Sequence, residues 1–303
     1  MHSLSFLRGS LLCLAAACAP LAASASLAPF LLTKSGPVEI KYTGYQAFSK
    51  DTGGTGLKEA AFAAGYMTSI NEYGNGASSY WQQGMNNQSI SFMMYGIADA
   101  SSAPGTGGSG KRVYSTGCTN AAFGCDGKIH LDFYLDKASG GTNPGFGVAG
   151  LKASDRYSFS TMKGVTDGEL LMRWEFTTGL ITGRVAGMSD ASYNPGDTTM
   201  FQQLDGLPSP ANGTSTYLAN CVQGPACLYF RTRSQNGGAD FFGINTMTTM
   251  LAGSALRQNG WAWRVADPVI AQVELPEPGS LALLAAGMLG LAMRRRSGVI
   301  CAP

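Results

Sequence analysis

Apolar and polar residues alternate with a period of two along several short runs of this sequence, and this feature most limits the fold. The clearest runs are 38–42, 129–136, 171–177, 228–233 and 261–273. Successive side chains of a β-strand point to opposite faces, so each run predicts a strand with one apolar face. The run 90–97 (ISFMMYGI) is apolar on both faces, which predicts a central strand covered on both sides.

Turn-forming residues separate these runs. Clusters of Gly, Ser, Asn and Pro occupy 51–56, 103–110, 139–147 and 208–213. Short strands with this punctuation favour a mainly β fold, namely an antiparallel β-sandwich or jelly roll in a single domain, residues 26–275. Only 57–66 and 246–256 could be helices, and the glycine and alanines of the first also fit a closely packed strand.

The first 25 residues have the pattern of a secretory signal peptide. Arg8 precedes the apolar run 11–17, and Ala23-Ser24-Ala25 supplies the small residues that a signal peptidase requires. An alternative is lipidation at Cys18, although Leu14 stands one place too far from it. Both interpretations predict a signal helix and an exported body.

The last 28 residues combine three parts in a fixed order. Pro276-Glu277-Pro278 is followed by the uncharged run 279–293 and then by Arg294, Arg295 and Arg296. A helix over 279–293 would reach about 22 Å, short of the roughly 30 Å hydrocarbon core. Arginine side chains can extend to the headgroups, and positive residues stay on the cytoplasmic side. The segment 276–303 therefore predicts a transmembrane helix with the body outside the cytoplasm.

This order of parts resembles the PEP-CTERM sorting signal of bacterial surface proteins, over residues 276–296. The resemblance implies that a membrane-embedded exosortase recognises Pro276, Glu277 and Pro278 and that Arg294, Arg295 and Arg296 are the stop signal. It also implies a transient membrane intermediate, followed by release to the cell surface. The extra residues 297–303 depart from the pattern, and a permanent single-span anchor is the alternative.

The charge balance excludes one class of partner. The chain has 21 basic and 19 acidic residues, but four of the arginines lie in the two terminal segments. Residues 26–278 therefore carry 17 basic and 19 acidic residues. Such a weakly charged body has no field that would attract nucleic acid or hold it on an anionic membrane.

Four of the seven cysteines lie in the body, as two local pairs. Cys118 and Cys125 flank one glycine-containing loop, and Cys221 and Cys227 flank another. In an exported protein this pattern predicts two disulfides. Zinc binding by four thiolates is the alternative, but the spacings are longer than zinc knuckles use.

The inventory of reactive residues predicts a non-catalytic body without a cofactor. His130 is the only histidine of residues 26–278. Asp132 shares its strand face, but such neighbours lie about 6–7 Å apart, too far for a direct bond. We therefore expect His130 on a solvated sheet face. Carboxylate pairs such as Asp132 and Asp136, or Glu169 and Glu175, leave a glycan hydrolase as an alternative.

Two further stretches are candidates for ligand binding. Asp190, Asn194 and Asp197 supply oxygen ligands that calcium accepts, although the same residue types also form ordinary turns. Trp81, beside Tyr80 and two glutamines, is the tryptophan best suited to a surface position, where it could stack on a sugar ring, although burial is the more common fate of such a side chain.

Three functions follow from these observations. The leading one is a non-catalytic surface or matrix protein that acts in biofilm or floc cohesion, as the sorting signal implies. Its partners would be the general secretion machinery, the exosortase and, transiently, the inner membrane. The second is a carbohydrate-binding module for extracellular polysaccharide, and the third is a secreted hydrolase.

Overall fold

The structure is a computed structural model. It describes residues 32, 35–48, 59, 61–74, 78–98, 101–104, 110–114, 117–119, 121, 124–137, 150–156, 162, 164–181, 199–204, 212–266 and 268–275. The predicted signal peptide, residues 1–25, and the terminal segment 276–303 lie outside this set, and so does the predicted helix 279–293.

The described residues form thirteen strands. They are β1 (Gly36–Phe48), β2 (Ala61–Glu72), β3 (Ser79–Gln82), β4 (Gln88–Ile97), β5 (Ser101–Pro104), β6 (Gly110–Tyr114), β7 (His130–Lys137), β8 (Glu169–Phe176), β9 (Met200–Leu204), β10 (Asn212–Gln223), β11 (Phe241–Thr249), β12 (Trp263–Ala266) and β13 (Val269–Val273). The helical segments among these residues are short: α-helices Cys227–Phe230 and Ala255–Gln258, and 3-10 segments Met85–Asn87, Ala153–Asp155 and Asn236–Gly238.

The sheet closes on itself. Its strands pair in the order β1–β2–β4–β7–β8–β10–β11–β13, and β13 pairs with β1 again. β12 continues the position of β13, since both pair with β1 and β11 at different heights. The mainly β, antiparallel prediction is confirmed, but the two packed sheets of a sandwich or jelly roll are replaced by one closed barrel of eight strands. Closure gives every strand in the ring two neighbours, which removes exposed edges.

Further strands branch from the ring. β10 is long enough to pair with β8 through residues 219–223 and with β9 through residues 213–217 on the same edge. β9 then continues to β6 and β5, and β3 pairs with β2. Along this edge of β10, the neighbouring strand therefore changes from β8 to β9.

The barrel interior is apolar and rich in aromatic rings. Leu131, Phe133 and Leu135 of β7 point inward and are buried, as their alternation predicts. Trp174 of β8 is fully buried between Phe133 and Phe241, at ring-centre distances of 4.7 and 3.7 Å. Stacked aromatic rings of this kind supply large buried areas and a defined geometry.

A small polar group also lies inside the barrel. The Tyr42 hydroxyl donates to Asn245 Oδ1 and lies 2.8 Å from the Tyr217 hydroxyl. Burial, followed by the nearby Tyr42, raises the pKa of Tyr217 well above its ordinary value. Gly243 is required here, because a Cβ would lie 2.3 Å from the Tyr217 ring. Paired hydroxyls and amides are tolerated in a core because their hydrogen bonds are made.

Part of the outer face is covered as well. Phe62, Met93 and Tyr95 point outward from β2 and β4 and pack with Trp261 in a second apolar cluster. Trp261 Nε1 donates to the Leu151 carbonyl at 2.8 Å, which fixes the covering segments in place. β4 is therefore buried on both faces, as its continuous apolar run predicts.

Two local predictions are wrong, and one open alternative is decided. Of the two possibilities for 57–66, the closely packed strand is correct: residues 61–66 belong to β2, where a Cβ on Gly65 would lie 2.2 Å from the Thr43 carbonyl oxygen of β1. The possible helix 246–256 begins inside β11. The predicted strand 228–233 begins as the helix Cys227–Phe230, since the bond between Cys221 and Cys227 reverses the chain there.

Candidate functional site

The two ends of the described body meet at one end of the barrel. The Leu275 N–H donates to Ser35 Oγ at 3.0 Å, and the Glu274 N–H donates to the Tyr229 carbonyl at 2.9 Å. The Tyr73 N–H donates to the Pro37 carbonyl at 3.0 Å, which places the β2 turn beside them. We call the surface formed by Ser35, Tyr73, the residues 228–231 and Leu275 the exit end, since the chain leaves the body there.

The predicted disulfides are present. Cys118 is bonded to Cys125 and Cys221 to Cys227, each with a Cα–Cα distance of 5.3 Å. The first loop packs against the end of β4, where the Cys118 N–H donates to the Gly96 carbonyl at 2.8 Å. The second loop belongs to the exit end, because it leads into the helix Cys227–Phe230, which contains Tyr229. The two staples thus hold opposite ends of the barrel.

An ion pair with a buried carboxylate lies on the outer face of β7 and β8, where the side chain of Arg173 is 29% exposed. Asp132 is fully buried and accepts from Arg173 Nε at 2.9 Å and from Arg173 Nη2 at 2.7 Å. The hydroxyls of Tyr95 and Tyr134 also donate to Asp132, at 3.1 and 3.2 Å. This carboxylate is therefore held by a two-pronged cation and two neutral donors, the arrangement that a buried charge requires.

The surrounding groups titrate far from their ordinary ranges. Burial, and then the Asp132 carboxylate, raise the pKa values of Tyr95 and Tyr134 well above the usual value of a phenol. The hydrogen bond to Asp132 raises the pKa of Arg173 further. All three side chains consequently keep their protons at neutral pH and act as donors.

A second buried ion pair adjoins the first. Glu59 Oε1 accepts from Arg156 Nη2 and from the Gly96 N–H, both at 3.0 Å, and the two side chains are 0% and 1% exposed. The Arg156 guanidinium lies 5.9 Å from the centres of the Phe62 and Tyr95 rings. Tyr95 thus joins the two ion pairs, and together they fasten residues 59 and 156 to β4.

The sequence predicted that His130 lies on a solvated sheet face, but the structure shows that it is buried. Its side chain is 4% exposed, its ring stacks on Tyr95 at 5.2 Å, and its Nε2 donates to Asp126 Oδ1 at 2.9 Å. Burial opposes ionisation of Asp126, but the bonds from His130 and the Lys128 N–H outweigh it and lower the pKa of Asp126. Within the described residues, no hydrogen bond joins His130 Nδ1 to a hydroxyl that could serve as a nucleophile.

Asp136 is the carboxylate whose ionisation is disfavoured. Burial, and then repulsion from Asp167, raise its pKa to about 6, despite the hydrogen bond from Ser91 at 3.4 Å. Asp167 accepts from the Gly164 N–H at 2.8 Å in the covering loop. Asp132, the other carboxylate of the pair considered for acid–base catalysis, is bound to Arg173.

A pocket of about 340 Å³ opens where the wall changes from β8 to β9. Its floor includes Ile129 and Phe176, which belong to the core. Lys128 and Glu175 form a 2.7 Å ion pair at its rim. The remaining lining comes from threonines and glycines: Gly117, Gly127, Thr177, Thr178 and Thr199.

The residues proposed for ligand binding have different positions. Trp81 is 0% exposed and belongs to the barrel core, so the structure selects burial over the surface position that stacking on a sugar would require. β3 pairs with the end of β2 and turns the indole inward, and Tyr80 is partly buried against the same cluster. Asp190, Asn194 and Asp197 lie outside the described residues. Among the residues that are described, no group of three His, Cys, Asp or Glu side chains could hold a metal ion.

The buried ion pairs were missed by the sequence analysis. Asp132 of β7 is paired with Arg173 of β8, and the two residues lie 41 positions apart in the chain. Glu59 and Arg156 are separated by 97 positions. A charged residue within an apolar alternation is the available signal, but it does not reveal which segment covers it.

Comparison with known proteins identifies one segment. Residues 274–296 match the model of one family, described as the PEP-CTERM protein-sorting motif. No curated protein and no solved structure matches the chain. None of the helices in the described residues is long and apolar enough to cross a membrane.

The matched segment begins one residue after β13 ends at Val273, at the exit end of the barrel. The motif implies export, processing by an exosortase and sorting to the cell surface or beyond. The chain therefore carries a PEP-CTERM sorting motif directly after a closed, disulfide-stapled β body.

Proposed function

We propose that this protein is a non-catalytic component of the bacterial surface or extracellular matrix that acts in biofilm or floc cohesion. The position of the sorting motif carries the proposal: the motif begins where the last strand of the body ends, so the barrel itself is the sorted cargo. An exosortase would recognise Pro276, Glu277 and Pro278 and release the barrel.

The described body supports a passive role. Two disulfides stabilise a chain that must persist in an oxidising environment. The buried carboxylates of Asp132 and Glu59 are engaged by arginines rather than directed at a cleft. Turnover of a glycan or ester panel that is lost on Asp132→Asn would contradict this part of the proposal.

The sorting step is tested in the native host with Glu277→Gln and with Pro276→Ala/Pro278→Ala. We expect both variants to accumulate as full-length protein in the inner membrane. Mass spectrometry of exported wild-type protein should find a C-terminus close to residue 278. Glu169→Gln, which changes a half-exposed carboxylate on the body, is the matched control and should be sorted normally.

The matrix role requires a separate experiment. A deletion strain should form weaker flocs or biofilms, and the wild-type chain should restore cohesion. The Glu277→Gln variant should fail to restore it, because its barrel is not released. Full cohesion in the deletion strain would exclude this role while leaving the sorting step intact.

A second candidate function is binding of extracellular polysaccharide. It no longer rests on Trp81, whose ring is buried, but on the pocket between β8 and β9. Its volume of about 340 Å³ lies at the lower end of small-molecule sites, and its rim offers the hydrogen-bonding groups that sugars use. Saturable binding to the host's polysaccharide that is lost on Glu175→Gln, but kept on Glu169→Gln, would favour it.

A further inference from the structure

The chain leaves the barrel very close to the segment that enters the membrane. Leu275 is held by Ser35 and Glu274 by Tyr229, so the body cannot lift away from its last residues without losing both bonds. Only Pro276-Glu277-Pro278 separates Leu275 from Gly279, the first residue of the uncharged run. Four fully extended steps reach at most about 14 Å.

This distance decides which surface faces the lipid. The headgroup layer on each side of the hydrocarbon core is roughly 5–8 Å thick. The exit end must therefore stand within about 10 Å of the headgroups whenever 279–293 is inserted, by the same reach. The pocket and the Cys118–Cys125 loop lie at the opposite end of the barrel, which is separated from the exit end by the length of β8.

The exit end carries side chains suited to a membrane surface. Leu228 is 57% exposed and Tyr73 is 50% exposed, and both lie at this end of the barrel. Arg231 and Arg233 are exposed at the same end, where Arg231 also donates to the carbonyls of Cys221 and Val222. The acidic residues there are the exposed Glu274 and the partly buried Glu72. Leucine, tyrosine and arginine are residues that anchor proteins at the interface between water and lipid.

We propose that the exit end rests on the outer surface of the bilayer in the membrane-inserted precursor, with Leu228 and Tyr73 in contact with the headgroup layer. This inference rests on the sorting function proposed above. The contact holds the barrel upright and presents Pro276-Glu277-Pro278 at the membrane surface, where a membrane-embedded protease reaches it. Once the chain is cut, no tether maintains the contact.

The test uses the chain without its signal peptide, residues 26–303, in nanodiscs that contain phosphatidylethanolamine and phosphatidylglycerol. Leu228→Trp places a fluorophore at the exit end, and Thr178→Trp places the matched control at an exposed site of the opposite end. Brominated lipids should quench the added emission of Leu228→Trp by about half and that of Thr178→Trp by less than about a tenth, since interfacial contacts reach 5–10 Å into the boundary.

A second measurement needs no substitution. Hydrogen exchange of the wild-type chain in nanodiscs should be slower at residues 72–74 and 228–233 than in the released barrel, and unchanged at residues 124–130. Equal quenching at both sites, or no protection at the exit end, overturns the proposal. Protection that appears only after exosortase is added assigns the surface to the protease and overturns the lipid contact.

These outcomes remain separable from failure of the sorting function. A chain that does not enter nanodiscs at all contradicts the membrane intermediate itself. A chain that enters them while Leu228→Trp stays unquenched contradicts only the contact of the exit end.

Discussion

The two faces of the wall formed by β4, β7 and β8 are stabilised in different ways. The inner face is buried, whereas the outer face is buried along β4 and most of β7 but only partly buried along β8. The inner face contains apolar and aromatic residues such as Phe133 and Trp174. The outer face of the same strands includes Asp132 and Arg173 as an ion pair, with Tyr95 between this pair and Arg156. A polar position in the alternating pattern of a strand therefore need not face solvent, because another segment can cover it.

The two faces should respond differently to substitution. Inside the barrel, a smaller side chain leaves a cavity, and the cost follows the lost volume. On the outer face, removal of one partner leaves a buried charge, and removal of both partners costs less. The following predictions concern the secreted form and its free energy of unfolding.

The largest effect is expected inside the barrel. Trp174→Ala removes a fully buried indole that stacks on Phe241 and packs at a tilt against Phe133, and it should lower the free energy of unfolding by about 4–5 kcal/mol. Urea unfolding monitored by circular dichroism measures this change. The loss should not depend on pH between 5 and 8, because no titratable group is removed; a strong pH dependence would contradict the assignment.

The next effect is expected at the buried ion pair of the outer face. Arg156→Met leaves the carboxylate of Glu59, which is 0% exposed, without its cation, at a cost of about 3–4 kcal/mol. Glu59→Gln/Arg156→Met keeps an acceptor for the Gly96 N–H and should recover part of this loss. If the double variant is as unstable as the single variant, charge burial is not the cause.

The two disulfides close loops of nearly equal size but have different surroundings, so their removal should have different effects on stability. Cys118→Ser/Cys125→Ser should cost about 2–3 kcal/mol, mainly from chain entropy, because Cys118 and Cys125 form a small buried cluster of their own. Cys221→Ser/Cys227→Ser should cost more, although its loop spans 6 rather than 7 positions, because Cys221 and Cys227 also pack in the interior cluster. Thermal and urea unfolding of the two variants provide the comparison, and equal losses would contradict the packing term.

The smallest effect is a gain in stability. Asp136 has a pKa of about 6 in the folded protein, compared with roughly 3.9 in an unfolded chain. The folded state binds more protons between these values, so stability falls as the pH rises through this window. Asp136→Asn should therefore raise the free energy of unfolding by about 1 kcal/mol at pH 7.5, after allowance for solvent screening at a half-exposed group, and by nothing at pH 3.5.

Asp126→Asn is the matched control for Asp136, since both are single carboxylates near β7. The pKa of Asp126 is lowered, so its stabilisation is present above the unfolded pKa and is lost as the pH falls. The substitution should destabilise the protein at pH 7.5. A gain from both substitutions would indicate a general charge effect instead.

The sequence predicted which residues face the barrel interior better than it predicted which outward-facing residues are buried by other segments. The alternation of β7 and β8 and the continuous apolar run of β4 correctly identified the inward residues. The same alternation placed His130 and Asp132 in solvent, whereas both are buried. Strand period is a local property, but burial of the outer face depends on segments such as 151–156, which lie far away in the chain.

Neighbouring residues and short spacings were enough to predict strands such as β4, β7 and β8, the two disulfides and the sorting motif at the end of the body. Only the tertiary structure decided that the sheet closes, that Trp81 lies in the core and that Arg173 and Arg156 neutralise buried carboxylates. Closure depends on β1 pairing with strands more than 200 positions away. Such pairings are selected by the free energy of the whole core, which no local pattern records.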